Sequence, residues 1–140
     1  MSGAFLEDLE VGQSAELTRT VQDGDLTAFA AITGDDNPLH LDAAYAAATP
    51  FKGRIAHGML SAGYISAVLG TKLPGPGAIY VSQTLSFRRP VRIGDAVTAS
   101  AAVTAIDAAK GRVTFATEAR VAGKVVVEGE AVVAVPRRPA

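Results

Sequence analysis

The chain has 140 residues, 49% of them hydrophobic and 19% charged, which suits one compact domain with enough apolar material for a single core. A formal net charge of -1 gives no basic excess with which to neutralise a phosphate backbone, so nucleic acid is excluded as a partner. The lack of any cysteine excludes a disulfide framework, a thiolate metal site and a cysteine nucleophile.

The N-terminal residues include Glu7, Asp8 and Glu10 and lack the basic start and continuous apolar stretch of a secretory signal. The most apolar helical run, Met59 to Leu69, falls short of the roughly 20 residues needed to span a bilayer. The expectation is a cytoplasmic protein without a membrane partner, folded as a single domain over residues 1–140, with residues 136–140 frayed.

In chain order, residues Gln13 to Val21 alternate loosely and predict a first strand. Asp23 or Asp25 offers an N-cap for a helix from Leu26 to Thr33, and Gly34 sits where a left-handed C-terminal cap belongs. The chain then turns between Gly34 and Pro38, because a proline disfavours helical geometry at Asn37 and removes a backbone donor. A short alanine-rich helix follows from Asp42 to Ala47, then a break at Thr49-Pro50 and a glycine-bearing loop from Phe51 to Gly58. From Met59 to Leu69 the residues are small or apolar on nearly every face, as expected of a helix enclosed by protein. Four strands are predicted after it, Ala78 to Phe87, Ala96 to Ile106, Arg112 to Val121 and Lys124 to Val135, with tight turns between the later ones that favour an antiparallel sheet. The fold class is therefore α+β: one long buried helix with four or five antiparallel strands around it.

The chemistry-bearing residues are concentrated. The only histidines are His40 and His57, and no helical His-Glu-x-x-His spacing is present, so no metal site is expected; no Gly-x-Ser-x-Gly elbow marks a serine hydrolase. In Gly34-Asp35-Asp36-Asn37-Pro38-Leu39-His40, a carboxylate and an imidazole five residues apart are joined through a turn that can aim both into one cavity. Equally, Asp35 and Asp36 can simply solvate a loop while His40 or Asp42 caps the next helix.

The second segment, Phe51-x-x-x-Ile55-x-His57-Gly58-Met59, follows the first closely. Together the two segments resemble the MaoC-like dehydratase family, in particular its (R)-specific enoyl-CoA hydratases; the likeness extends to Gly77–Tyr80, Leu85-Ser86-Phe87-Arg88, Pro90-Val91 and Gly94-Asp95. The resemblance implies a single hot-dog fold, with a central helix wrapped by a curved antiparallel β-sheet, and a homodimer. It places Asp35 and His40 on the catalytic carboxylate and histidine, and Gly58 on the position whose backbone N–H binds the thioester oxygen, a role suited to the unpaired N–H groups of a helix N-terminus. It also places Ser66 near the reacting end of the substrate.

On these expectations Asp35 takes a proton from water, while His40 holds that water and donates or relays a proton; which group serves carbon 2 stays open. Asn37 braces the turn through its backbone bonds, Leu69 floors the acyl pocket and His57 fixes the loop. Asp36 faces solvent, and Lys52, Arg54, Arg88 and Arg89 are candidates for coenzyme A phosphates. The substrate is an acyl-CoA or acyl-carrier-protein thioester, and no cofactor is expected. The competing functions are a 3-hydroxyacyl-carrier-protein dehydratase, a hot-dog thioesterase and a non-catalytic acyl-thioester-binding subunit.

Overall fold

Alternation of inward and outward side chains builds the sheet. β4 (Ala96–Asp107) buries Val97, Ala99, Ala101 and Val103, and β5 (Arg112–Val121) buries Val113, Phe115, Thr117 and Ala119, following the two-residue period of a strand. β5 pairs antiparallel with β4 on one side and with β6 (Lys124–Ala134) on the other. β1 (Ser14–Thr20) extends the sheet beyond β4, and β2 (Ile79–Gln83) extends it beyond β6. The order is β1-β4-β5-β6-β2, with the two-residue β3 (Ser86–Phe87) also on β6. These relations come from a computed structural model, which describes residues 3–140.

The helix expected from Met59 to Leu69 runs as α4 (Gly58–Thr71) and packs on β1, β4, β5 and β6. A helix that meets four strands requires the sheet to curve round it, which is the hot-dog arrangement. Ile65, Val68 and Leu69 are buried against the sheet, each contributing about 1.5–3 kcal/mol. Ala99, Ala101 and Ala119 add little bulk to the same core, so the helix can lie close to the strands.

One expectation is corrected at the sheet's edge, and the tail carries contacts of its own. The single strand predicted from Ala78 to Phe87 is split, because at Thr84 the chain crosses directly over β6. A Cβ on Gly129 would lie 1.8 Å from the Thr84 carbonyl oxygen, and Thr84 is held there by its N–H on Glu130 O (2.9 Å) and its hydroxyl under the Glu130 N–H (3.0 Å). At the C-terminus, Pro136 O accepts the Leu6 N–H (2.8 Å), Arg138 N–H donates to Glu7 Oε2 (2.9 Å), and the Arg138 guanidinium pairs with Asp8. The residues expected to fray are tied at these points to the N-terminal segment.

The first half carries three shorter helices. α1 (Asp23–Thr33) begins earlier than expected: Gln22 is its N-cap, and Asp25 accepts the Gln22 N–H (2.8 Å) instead of capping the helix itself. Gly34 closes it in the left-handed region, φ 82°. α2 (Pro38–Leu41) was not predicted, while α3 (Ala43–Ala47) was, with Asp42 accepting the Tyr45 N–H (3.1 Å) as its cap.

Gly129→Ala is expected to destabilise the fold by about 1–3 kcal/mol through overpacking against Thr84. Gly24→Ala, where a Cβ meets nothing within 4 Å, serves as the control that leaves the denaturation midpoint unchanged or slightly raised.

Candidate active site

The turn after α1 is organised by its own side chains. Asp35 N–H donates to Thr33 Oγ1 (3.1 Å), Asn37 Oδ1 accepts the Leu39 N–H (3.0 Å), and Pro38 supplies the first residue of α2 with its fixed φ. One turn of helix then carries His40 inward to 8% exposure. His40 Nδ1 lies 2.7 Å from the Ile55 carbonyl oxygen. A carbonyl only accepts, so Nδ1 bears a hydrogen, and in the neutral ring Nε2 is the nitrogen with the lone pair.

Arg54 completes the clamp. Its Nε donates to the His40 carbonyl (2.7 Å), and its terminal nitrogen pairs with Asp23 Oδ1 (2.9 Å) at the start of α1. Arg54 is thereby a brace for His40 and not the phosphate ligand considered from the sequence. Arg88 is paired with Glu128 (2.7 Å), and Arg89 donates to Val125 O (2.7 Å); Lys52 is exposed, in the left-handed region at φ 63°.

His57 stands against both members of the proposed pair. Its ring stacks on His40 at 3.9 Å between centroids, its Nε2 lies 3.0 Å from the Asp35 carbonyl oxygen, and Phe29 closes over it at 4.5 Å. An Asp35 carboxylate oxygen and a ring nitrogen of each histidine lie within 4.8 Å of one another. That spacing leaves room for a water molecule between Asp35 and His40, with the two groups about 2.6–3.2 Å from it. It suits a metal ion poorly: the two ring planes are only 27° apart, so their in-plane lone pairs cannot converge on one ion about 2.0–2.1 Å away. The Asp35 and Asp36 side chains belong to exposed residues, in contrast to His40 and His57.

Gly58 opens α4, and the first N–H groups of a helix have no partner within it. A Cβ there would lie 2.6 Å from the Phe87 ring, so glycine lets that ring rest on the backbone. His40, His57, Gly58, Met59, Ser61, Phe87, Arg88 and Arg89 are among the walls of one cavity of about 390 Å³. Asp35 and Asn37 are not in those walls. Ser66 and Leu69 do not reach this cavity either; with Tyr80 and Val133 they line another of about 190 Å³. A third, of about 540 Å³, includes Phe29, Met59, Ser66 and Tyr80, so Met59 and Ser66 are shared walls along a row of three. Partial burial pushes the Tyr80 hydroxyl above its usual pKa, and the hydroxyl donates to Gln83 Oε1.

The sequence reading therefore assembles in part: His40 and Gly58 share a cavity, Asp35 stands beside the histidine, and Ser66 and Leu69 lie further along. It did not single out Ser61, a buried serine on an otherwise apolar helix face one turn from His57. A polar residue on an enclosed helix is the signal that could have found it.

The MaoC like domain matches residues 7–127 of this chain. The chain belongs to the MaoC-like family. Among its relatives, an (R)-specific enoyl-CoA hydratase of Rhodospirillum rubrum is 59% identical over 134 residues, covering 96% of this chain and 93% of the relative. A 3-hydroxybutyryl-CoA dehydratase of Methylorubrum extorquens is 52% identical, covering 96% and 85%. The unliganded R-hydratase PhaJ1 from Pseudomonas aeruginosa superposes with a TM-score of 0.92 at 52% identity, covering 97% of this chain and 88% of that one. Among the described residues, no helix of this MaoC-like chain is long and apolar enough to cross a membrane.

Removing the cap in Asn37→Ala is expected to lower stability by about 0.5–2 kcal/mol. Thermal denaturation checks this, and an unchanged midpoint would remove Asn37 from the α2 N-terminus.

Proposed function

We propose that this chain is a hydro-lyase that reversibly adds water to trans-2-enoyl-CoA to give (R)-3-hydroxyacyl-CoA. The observation that carries the reading is the Asp35 carboxylate within 4.8 Å of an imidazole whose tautomer is fixed by Ile55, in a chain whose relatives bear hydratase and dehydratase names.

In the proposed mechanism a water molecule sits between Asp35 and His40. The carboxylate takes its proton as the oxygen attacks carbon 3, and the proton so removed is passed on to carbon 2, which leaves Asp35 ionised again and both parts of the water on the product. His40 Nε2 is the ring nitrogen left available to hold the water or relay a proton, since Nδ1 is committed to Ile55. Negative charge develops on the thioester oxygen, which the Gly58 N–H at the positive end of α4 stabilises; one such donor is worth roughly 10²–10³ in rate. The coenzyme A portion runs past Phe87 toward Arg88 and Arg89, which favour phosphate. The acyl chain runs past Met59 toward Ser66 and Leu69.

The same reading includes a homodimer. β2 is an edge strand of the sheet, yet it exposes Ile79 (67%) and Val81 (48%), and Met59 beside it is 53% exposed. An apolar edge with unpaired backbone groups invites pairing with a second copy. Such a partner would also cover the cavity that β2 and Met59 line together.

Loss of the conjugated enoyl-thioester absorbance should follow wild-type enzyme with short-chain substrates, and Asp35→Asn and His40→Ala should each slow it by about 10²–10⁴. Both variants folded and near wild-type in rate would sink the assigned pair. Val81→Asp should shift the chain to monomer by size-exclusion chromatography with light scattering, and a variant that stays dimeric rules out the β2 interface.

A further inference from the structure

We infer that His57 is a positioning residue that sets the distance between Asp35 and His40, acting through its Nε2–H bond to the Asp35 backbone. This rests on the reading that Asp35 and His40 perform the chemistry. Three parts of the proposed site converge on this residue. Its Nε2 holds the carbonyl of Asp35 at 3.0 Å, its face supports the His40 imidazole at 3.9 Å, and the next residue along the chain is Gly58, the proposed oxyanion donor.

The tautomer is decided by the carbonyl. Because Asp35 O only accepts, Nε2 carries a hydrogen, and in the neutral ring Nδ1 is then an acceptor. Among the described residues that Nδ1 is buried without a hydrogen-bond partner, in a residue only 2% exposed. A buried unsatisfied polar atom is a penalty that folded proteins rarely keep without a reason. A phenylalanine would fill the same space between Phe29 and His40 and leave no orphan, so packing alone does not account for a histidine. What a phenylalanine lacks is the Nε2–H on Asp35.

The same two facts remove His57 from proton transfer. Its Nε2–H is committed to the Asp35 carbonyl, and its Nδ1 is closed off from solvent. Its contribution is geometric, and a displacement of about 1 Å at a reacting group can lower the rate about 10²-fold.

Two amides separate this role from packing. In His57→Gln the side-chain nitrogen reaches the former Nε2 position, whereas in His57→Asn it reaches only as far as Nδ1. His57→Phe keeps the ring and loses the donor. The measurements are kcat and KM on an enoyl-CoA thioester, with melting temperature for each variant. His57→Gln should stay within about fivefold of wild-type kcat, while His57→Asn and His57→Phe lose about 10–10², with KM within about twofold throughout. Folded His57→Asn or His57→Phe turning over as fast as His57→Gln overturns the inference, as does a loss confined to KM. If His57→Asn fails to fold, the comparison of His57→Phe with His57→Gln decides alone. Wild type and Asp35→Asn in the same assay test the underlying reading, so an inactive Asp35→Asn beside three equally active His57 variants refutes the positioning role only.

Discussion

The hydrogen bond from His40 Nδ1 to the Ile55 carbonyl, 2.7 Å long and buried, is the contact on which the site depends. α2 has four residues, far below the roughly 12–15 that a helix needs to persist unaided. Its position must come from outside. Ile55 holds the His40 ring, the neighbouring Arg54 holds the His40 carbonyl, and Ala56 N–H is tied to Val91 O at 2.7 Å. Arg54 and Ile55 thus fasten a marginal helix to the segment that feeds α4, and Ala56 ties that segment to Val91. The same bond chooses which imidazole nitrogen faces the chemistry, so tertiary placement and reactivity are set together.

α4 then acts as a ruler. It offers an N–H at Gly58 because the fold begins a buried helix there, and it spaces the residues beyond by a rise of about 1.5 Å each, putting Ser66 roughly 12 Å and Leu69 roughly 16 Å along the axis from Gly58. These distances explain why Ser66 and Leu69 line different cavities from His40 although all were read as parts of one site. On the proposed function, a substrate that touches both Gly58 and Leu69 has to be extended along the helix.

Elements governed by local pattern were legible in the sequence. The Arg112–Val121 strand was read with its observed limits because buried and open positions alternate along it, and Gly34 marked the end of α1 because the left-handed cap favours glycine. Features governed by long-range contacts were not. α2 is invisible to propensity because Asn37, Ile55 and Arg54 create it. The break at Thr84 arises from a crossing 45 residues away in sequence, at Gly129, although a glycine inside a strand is a known sign of close backbone approach. Arg54 shows the limit for charge: a surface arginine that binds phosphate and one that braces a carbonyl look alike until the partner is placed. Asp35 and His40 were legible as a pair because one short turn carries both, whereas the third contact, His57, comes from a different segment.

The site is also asymmetric in solvation. His40 and His57 are buried within one chain, but Asp35 lies open to water, and Gly58 is exposed at the head of its helix. In high-dielectric water a carboxylate and a backbone dipole act weakly on a substrate; excluding that water strengthens both. A single chain supplies the histidine side of this arrangement already enclosed and leaves the carboxylate side open beside an apolar edge strand. Under the proposed mechanism, a second chain covering β2 and Met59 would change the chemistry as well as the association, because it would set the dielectric in which Asp35 takes a proton.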